Sequence, residues 1–431
     1  MQALKWLYPG MKIKRWLLLF SAGLMAVSLA FAILFGHRFI GAIEDLVLNA
    51  VGRLTGERQP IAVVIAAVFV LGLGLAAMAV AVRQTFRSVA GVFGPEHRSR
   101  LVDIIYQKRL LERGPSIAVI GGGTGLAVLL RGIKNYTSNI TAIVTVADNG
   151  GSSGRIREDL GVIPPGDLRN CLVALADTEP LMEKLFQHRF GGSGSLSGHS
   201  FGNLFLAAMM EVLGDAELAL KESSKVLAVR GQVLPSTAET VHLVAEMTDG
   251  TVVEGESQIP LANKAIRRVF IRPEDPAPVE AAIEAILEAD VVVLGPGSLY
   301  TSVLPNLLVG GIVGALRRTA AIRLYVCNVM TQPGETDGYT ASRHIKAIID
   351  HVGPGIIDYA VVNTQSVAPA LQEHYARQGA CPVVADVAAI EALGIKVITA
   401  DLISETNLVR HDPFKLAGAI IGMVKKHSGE N

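Results

Sequence analysis

Apolar positions follow two different patterns, and the change between them divides the chain near residue 100. Two long uncharged runs occupy residues 16–35 and 61–82. As helices that rise about 1.5 Å per residue, each would cross the roughly 30 Å hydrocarbon core of a bilayer. After residue 115 the apolar runs become short and alternate with stretches of helical periodicity, as expected of an α/β fold. We therefore expect a transmembrane hairpin of two helices within residues 1–82, followed by an α/β domain.

The two apolar runs carry signals for packing and orientation. Gly72, Gly74 and nearby alanines would let the second helix approach the first closely. A signal peptide is the alternative for the first run, since basic residues at 12–15 precede it, but the run is long for that purpose. Basic residues exceed acidic ones at both outer ends, whereas the connecting segment 36–60 is balanced. The positive-inside rule then predicts a cell-membrane protein with two spans and a cytoplasmic C-terminal domain.

Residues 83–114 form a basic linker. Its apolar residues have the spacing of an amphipathic helix, and they are Leu101, Ile104, Ile105, Tyr106, Leu110 and Leu111. The favoured interpretation is a connecting helix that packs on the following domain, and the alternative is contact with anionic lipid headgroups. We assign residues 115–431 to one nucleotide-binding domain.

Short apolar runs in this domain predict parallel strands buried on both faces. They are Ile117–Ile120, Ile140–Val146, Val291–Leu294, Arg323–Cys327, Tyr359–Val362 and Lys396–Thr399. Three alternating segments have no helix between them, and these predict an antiparallel excursion: Val241–Met247, Thr251–Ile259 and Arg268–Arg272.

Two glycine-rich turns follow the first two predicted strands. The first contains Gly121, Gly122, Gly123, Thr124 and Gly125 and leads directly into a helical run. Glycines allow close approach to backbone amides, and the helix N-terminus that follows favours phosphate or diphosphate. The second contains Asp148, Asn149, Gly150, Gly151, Ser152 and Ser153. Together they predict a nucleotide-binding crevice at the carboxyl end of the sheet, with a ligand-free tight turn as the alternative.

Polar residues follow further predicted strands. Gly295, Gly297, Ser298 and Tyr300 come after one strand, and Asn328 and Thr331 come after the next. Each could cap a helix, but several strand ends on one rim favour a polar ligand. Three further polar sites lie along the chain: Asp167 as a predicted N-cap, Arg169 and Asn170 after it, and His199 and Asn203 four residues apart. The Gly/Ser-rich segment 191–198 before His199 is expected to be a mobile loop.

Composition excludes several function classes. The formal net charge of +0 gives no support to a nucleic-acid partner. The three cysteines, Cys171, Cys327 and Cys381, are scattered, which fits a reducing compartment and neither a disulfide framework nor a zinc site. The chain has no P-loop, nucleophile elbow or H-E-x-x-H motif, so ATP hydrolysis, esterase and metalloprotease chemistry lack support.

In their order and residues, these motifs resemble those of the YvcK-type gluconeogenesis factors, which belong to the superfamily of the 2-phospho-L-lactate transferases (CofD). The resemblance covers residues 115 to about 425. It implies a Rossmann-like three-layer α/β domain with a mostly parallel sheet. It also implies a regulator that binds UDP-N-acetylglucosamine and supports cell-wall synthesis and cell shape during growth on gluconeogenic carbon.

Two other functions stay open at this point. In a CofD-like transferase, a nucleotide-activated phospholactate-type donor would react with the aid of Mg²⁺, which Asp148 and Asp167 could hold through waters. In a binding protein, Asp148 would instead accept hydrogen bonds from sugar hydroxyls. An NAD-dependent oxidoreductase is the third hypothesis, although Leu126 replaces the last fingerprint glycine. No resident cofactor is predicted, and the expected partners are a UDP-sugar, the membrane, cell-wall synthesis proteins and a second copy of the chain.

Overall fold

The structure is a computed structural model that describes residues 14–35, 60–90, 109–177, 180–404 and 409–428. Contacts divide the chain into two units, residues 1–107 and 108–431. Residues 91–108, which include most of the predicted amphipathic linker helix, lie outside the described residues.

The first unit contains two helices, α1 (Lys14–Phe35) and α2 (Pro60–Ala90), which pack against each other. Their backbones touch at two glycines, since a Cβ on Gly74 would lie 2.9 Å from the carbonyl oxygen of Gly23. The predicted close approach at Gly74 is therefore confirmed, but a Cβ on Gly72 would have no neighbour within 4 Å. Large side chains on the outer faces remain exposed, including Met25 at 74% and Phe69 at 68%.

One helical segment among the described residues is long and apolar enough to cross a membrane, Ile65–Gln84. The apolar part of α1, Leu18–Phe31, is shorter than a full span. The bent helix pair Leu299–Leu307 and Ile312–Arg318 is long and apolar enough only when the two helices are counted as one span. Length and composition are weak criteria for one or two helices, so the two-span hairpin stays a prediction.

The second unit is built on a parallel sheet of seven strands in the order β10-β9-β8-β7-β1-β2-β3. These strands are β1 (Ile117–Gly121), β2 (Ile140–Val144), β3 (Gln232–Pro235), β7 (Val291–Leu294), β8 (Ile322–Val326), β9 (Tyr359–Asn363) and β10 (Lys396–Ala400). The α/β Rossmann-like fold is thereby confirmed. Strand β1 lies inside the sheet, between β7 and β2, and is buried along its whole length, as the unbroken apolar run predicts.

Strand β3 was not predicted. It has only four residues, ends in Pro235 and pairs with β2 at the edge of the sheet. A short edge strand that ends in proline gives almost no periodic signal. The predicted antiparallel excursion is present as a second sheet in the order β5-β4-β6, with β4 (His242–Met247), β5 (Val252–Glu254) and β6 (Ile266–Arg272).

Helices alternate with the parallel strands. In chain order they are α3 (Gly123–Ile133), α4 (Gly151–Leu160), α5 (Pro165–Leu175), α6 (Pro180–Gln187), α7 (Phe201–Leu213), α8 (Ala216–Val226), α9 (Glu280–Glu288), α10 (Leu304–Leu307), α11 (Ile312–Arg318), α12 (Ala341–Val352), α13 (Pro369–Ala376), α14 (Val387–Glu391) and α15 (Pro413–Ser428). Helices α3 and α4 begin directly after the two glycine-rich turns. Both helix N-termini therefore lie at the carboxyl end of the sheet.

Candidate functional site

A cavity of about 410 Å³ opens at the carboxyl ends of β1, β7 and β8. This size falls within the range of small-molecule sites, roughly 300–1,000 Å³. Eight of the residues predicted to bind a ligand line the cavity: Gly122, Gly123, Thr124, Gly125, Gly297, Ser298, Asn328 and Thr331. Its other walls come from Val128, Pro296, Ser302, Val329, Met330, Gln332, Tyr375, Val409, Arg410 and His411.

The first glycine-rich turn has geometry that only glycine provides easily. Gly123 has a φ of +67°, which side chains with a Cβ rarely adopt. A Cβ on Gly125 would lie 2.8 Å from the carbonyl oxygen of Pro296. The first glycine-rich turn therefore meets the loop after β7, residues 295–302 and here called the third loop, backbone to backbone. Helix α3 has no side-chain N-cap, and its first-turn residues Thr124 and Gly125 line the cavity. The orphan amides of this turn make an anion-binding surface.

The predicted role of Asp167 as an N-cap is wrong. Helix α5 begins after Pro164 without a side-chain cap, and Asp167 lies in its first turn. Its Oδ2 instead accepts a hydrogen bond of 2.7 Å from the amide of Gly123. Burial and the nearby Asp148 carboxylate raise the pKa of Asp167 to about 6, against the Gly123 hydrogen bond and the Arg169 charge. Asp167 therefore links α5 to the first glycine-rich turn.

Two further carboxylates belong to this side of the site, and neither was predicted. Burial and the charges of Asp148, Glu335 and Asp167 raise the pKa of Glu256 to about 8. Burial also raises the pKa of Glu335 to about 7, although Thr301 hydrogen-bonds to its carboxylate. Glu256 follows β5 of the excursion, and Glu335 lies in the loop after β8. Only the folded chain brings them near the acidic residues of the second loop.

The acidic residues do not form a recognisable metal site. Among the described residues, no group of three or more His, Cys, Asp or Glu side chains is arranged to hold a metal ion. Asp148 Oδ1 accepts the amide of Gly150 at 2.8 Å, which shapes the turn before α4. Asp148 and Asp167 each keep a second carboxylate oxygen, so they can still accept hydrogen bonds from a ligand.

Asn149 has a structural partner in the antiparallel excursion. Its Oδ1 accepts a hydrogen bond of 2.9 Å from the amide of Ser257. Its side chain also lies beside Gly255, where a Cβ would come within 2.6 Å of Nδ2. Asn149 thus ties the excursion to the second glycine-rich loop and brings Glu256 to the site. It does not line the cavity.

Five of the predicted residues form one largely buried network beside the cavity. His199 Nδ1 and Asn203 Nδ2 both lie 3.1 Å from Ser152 Oγ, at the start of α4. Arg169 donates to Asn203 Oδ1 at 2.9 Å, and its other nitrogen donates to Asn170. The fold therefore brings these motifs together, but none of their residues lines the cavity. Ser200, not His199, caps α7.

The segment before His199 has more internal structure than its composition suggests. Arg155 donates to the carbonyl oxygen of Ser197 at 3.0 Å, and Arg189 donates to that of Gly198 at 3.0 Å. The Ser197 hydroxyl donates to the carbonyl of Gly192. The Arg155 bond connects the segment to α4, and the mobility of the segment stays a prediction.

Hydrogen bonds position the third loop over the cavity. Asn328 Nδ2 donates to the carbonyl oxygen of Gly297 at 2.8 Å, and Gln332 donates to the Ser298 hydroxyl at 2.6 Å. Asn306, which was not predicted, donates to the carbonyl of Gly121 at 3.0 Å from behind the first turn. Thr331 Oγ1 accepts the amide of Cys381.

Six other predicted residues lie outside the cavity lining: Gly121, Asp148, Gly150, Gly151, Ser153 and Gly295. The structure places Tyr300 away from it as well. Tyr300 is 2% exposed, and its hydroxyl lies 2.8 Å from that of Tyr339. Its position in a turn after β7 suggested a ligand contact, but a ring of this size is more stable in the core.

The far wall of the cavity was missed by sequence analysis. Val329 and Val409 belong to a small second core, with Tyr375 packed against it. Arg410 is the cation in this wall, and its side chain forms no ion pair with another described residue. The cavity thus joins a helix N-terminus, an apolar surface and an arginine that has no ion-pair partner among the described residues.

Comparisons with known proteins agree on one family. A family model described as 2-phospho-L-lactate transferase CofD matches residues 117–403. The gluconeogenesis factor of Bacillus subtilis is 51% identical over 313 residues, which cover 72% of this chain and 99% of its own. A Nostoc sp. protein named for the same factor is 48% identical over 423 residues, 97% of this chain and 92% of its own.

A solved structure shows the same fold. The crystal structure of a UPF0052-family protein from Bacillus halodurans superimposes with a TM-score of 0.70 at 53% identity. It covers 72% of this chain and 99% of that protein. The Nostoc protein therefore also matches the first unit, whereas the two Bacillus proteins match the second unit.

The contact between the first and third loops gives a stability prediction. Gly125→Ala places a Cβ against the Pro296 carbonyl, and we expect a loss of about 1–3 kcal/mol from overpacking, measured by thermal unfolding. Gly194→Ala is the matched control, because a Cβ there has no neighbour within 4 Å. Equal melting temperatures for the two variants would contradict the close approach.

The acidic side of the site gives a pH prediction. Burial raises the pKa of Glu256 from its ordinary value of 4.5 to about 8 in the folded chain. The folded state therefore loses stability relative to the unfolded state as the pH rises from about 4.5 to about 8. Glu256→Gln should therefore flatten the fall in melting temperature between pH 5 and pH 8, because a neutral amide replaces a carboxylate that becomes charged. The exposed Glu288 provides the control, and Glu288→Gln should leave the wild-type slope unchanged. If the melting temperatures of Glu256→Gln and wild type fall in parallel with pH, the Glu256 carboxylate is not buried.

Proposed function

Because the chain belongs to the gluconeogenesis factor family, whose core is a CofD-like domain, we propose that it binds UDP-N-acetylglucosamine and acts as a regulator. The single observation that carries this proposal is the cavity between the N-terminus of α3 and Arg410. The cavity lining combines backbone amides with a cation, which suits the two phosphates of a sugar nucleotide.

Each part of such a ligand has a matching surface. The apolar wall of Val329, Met330, Val409 and the ring of Tyr375 suits a nucleobase, which prefers apolar faces. The diphosphate would lie at the first turn of α3. The sugar would then extend toward the carboxylates near Asp167, which accept hydrogen bonds from hydroxyls. From the resemblance to the gluconeogenesis factors, we also propose a role in cell-wall synthesis and cell shape during gluconeogenic growth.

Ligand binding should depend on Arg410. We expect UDP-N-acetylglucosamine at about 100 times its Kd to stabilise the domain by about 2.7 kcal/mol. Arg410→Gln should weaken binding at least about tenfold, since a hydrogen bond to a charged group contributes about 1.5–3 kcal/mol. Thermal shifts of the purified full chain with UDP-N-acetylglucosamine, GDP, NAD and ATP measure both effects.

The control for Arg410→Gln is Arg377→Gln. Arg377 is exposed, pairs with Glu373 and lies outside the cavity lining, so its loss should leave affinity unchanged. A shift with NAD alone or GDP alone would contradict the proposal. So would equal affinities for wild type and Arg410→Gln.

A CofD-like transferase is the second candidate, and the acidic side of the site favours it. Asp148 and Asp167 could hold Mg²⁺ together with the phosphates of a bound nucleotide, each through its second oxygen. We favour binding without efficient turnover, because the serine and histidine that lie together, Ser152 and His199, are outside the cavity. Product formed with Mg²⁺ and candidate acceptors, and lost in Asp148→Asn, would make the transferase the correct function.

We further propose that the first unit anchors the protein in the cell membrane as a hairpin with both ends in the cytoplasm. The exposed apolar side chains of α1 and α2 support this, because lipid would cover them. The basic residues outside the two apolar runs support the orientation.

Labelling of intact cells tests this topology. Single cysteines placed in residues 40–56 should react with an impermeant maleimide, since this segment would face outward. Native Cys381 is exposed and serves as the internal control, whereas Cys171 and Cys327 are buried and would stay silent in any topology. Labelling of Cys381 from outside would overturn the proposal.

A further inference from the structure

The apolar end of the cavity contains a buried nitrogen without a partner. His411 lines the cavity and is 8% exposed, and its Nε2 has no hydrogen-bond partner among the described residues. Burial lowers the pKa of His411 to about 4, and a hydrogen bond to the backbone of Cys327 only partly opposes this. The imidazole is therefore neutral at physiological pH.

The Cys327 bond determines which nitrogen carries the proton. A bond that raises the pKa of a histidine is one in which the ring donates to a carbonyl oxygen. Since Nε2 has no partner, the donor is Nδ1, and Nε2 is left as an acceptor with a free lone pair. A buried acceptor without a donor costs free energy, so its position in a cavity wall calls for a ligand that supplies an N–H or O–H.

The surroundings limit the kind of donor. Val329 and Val409 are 5% and 6% exposed, and Met330 and Tyr375 pack against them. Such a wall accepts a flat, largely apolar group with one polar edge, as a pyrimidine has. Uracil presents a ring N–H on that edge, whereas cytosine presents a ring nitrogen that accepts and would repel the lone pair of Nε2.

We propose that His411 is a specificity-determining residue of the sugar-nucleotide site, whose Nε2 accepts the ring N3–H of uracil and thereby selects uridine over cytidine nucleotides. The inference rests on the proposed function. It identifies the base-recognition element, which neither the glycine-rich turns nor Arg410 can supply, since both address phosphate charge.

Contact with Nε2 requires a small rearrangement of the wall. The nitrogen is covered in this structure, so a base reaches it only when neighbouring side chains move. Arg410 is exposed, and Met330 has a flexible thioether, so both can move at low cost. The backbone of His411 is held by its bridge to Ile403, which keeps the imidazole in place.

The test compares nucleotides that differ only at the N3–C4 edge of the base. Isothermal titration of the full chain with UDP, CDP and N3-methyl-UDP should show that wild type prefers UDP by about tenfold or more, because CDP and N3-methyl-UDP lack the ring N–H that would pair with the buried Nε2. In His411→Leu the affinity for UDP should fall to that of N3-methyl-UDP. His374→Leu changes an exposed histidine outside the cavity and should keep the wild-type preference.

The outcomes separate this inference from the proposed function. Wild type that binds UDP and N3-methyl-UDP equally overturns the role of His411, and this comparison needs no variant. A His411→Leu protein that keeps the preference overturns it as well. If His411→Leu does not fold, His411→Gln replaces it, and we expect its side-chain oxygen to retain part of the preference. Wild type that binds no uridine nucleotide overturns the proposed function together with the inference.

Discussion

The hydrogen bond from the Gly123 amide to the carboxylate of Asp167 links the parts on which the site depends. It joins the turn after β1 to the first turn of α5, two segments that are far apart along the chain. It also occupies one amide of the α3 N-terminus with a protein carboxylate, so that Thr124 and Gly125 are left for a ligand. The cost is a buried acid whose pKa rises to about 6, in a neighbourhood that contains Asp148, Glu256 and Glu335.

This placement of charge divides the site into two halves. Carboxylates with raised pKa values lie outside the cavity lining, on the side of the excursion, whereas Arg410 lines the cavity. A ligand with two phosphates and a hydroxylated sugar has one favoured direction in such a field, with its hydroxyls toward the acids and its phosphates toward the amides and the arginine. In the proposed complex, electrostatics would orient the ligand, and the apolar wall with His411 would select the base.

Short-range sequence patterns correctly predicted individual strands and turns. Strand Val291–Leu294 agrees to the residue, and the turns at Gly121–Gly125 and Asp148–Ser153 lie at the carboxyl end of the sheet as expected. Long-range partners could not be predicted in this way. Asp167 has the sequence context of a helix cap, and only tertiary contact shows that it binds Gly123 instead. Arg410 and His411 belong to no motif, and they reach the cavity because β8 and a distant segment meet there. Asn149 was correctly placed on the second loop, but its partner Ser257 belongs to the excursion.

The order of strands has a consequence for how the protein is made. Strand β1, which carries the first glycine-rich turn, pairs with β7, so Ile117 must meet Val291 across a long intervening chain. Ribosomes add about 5–20 residues per second, so roughly ten seconds or more separate the appearance of these two partners. Until β7 emerges, one edge of an entirely apolar strand is without its neighbour, and closing so long a loop is slow. During synthesis the nascent chain therefore has an unfinished sheet, and the cavity, whose lining includes residues as late as His411, is among the last parts of the protein to form.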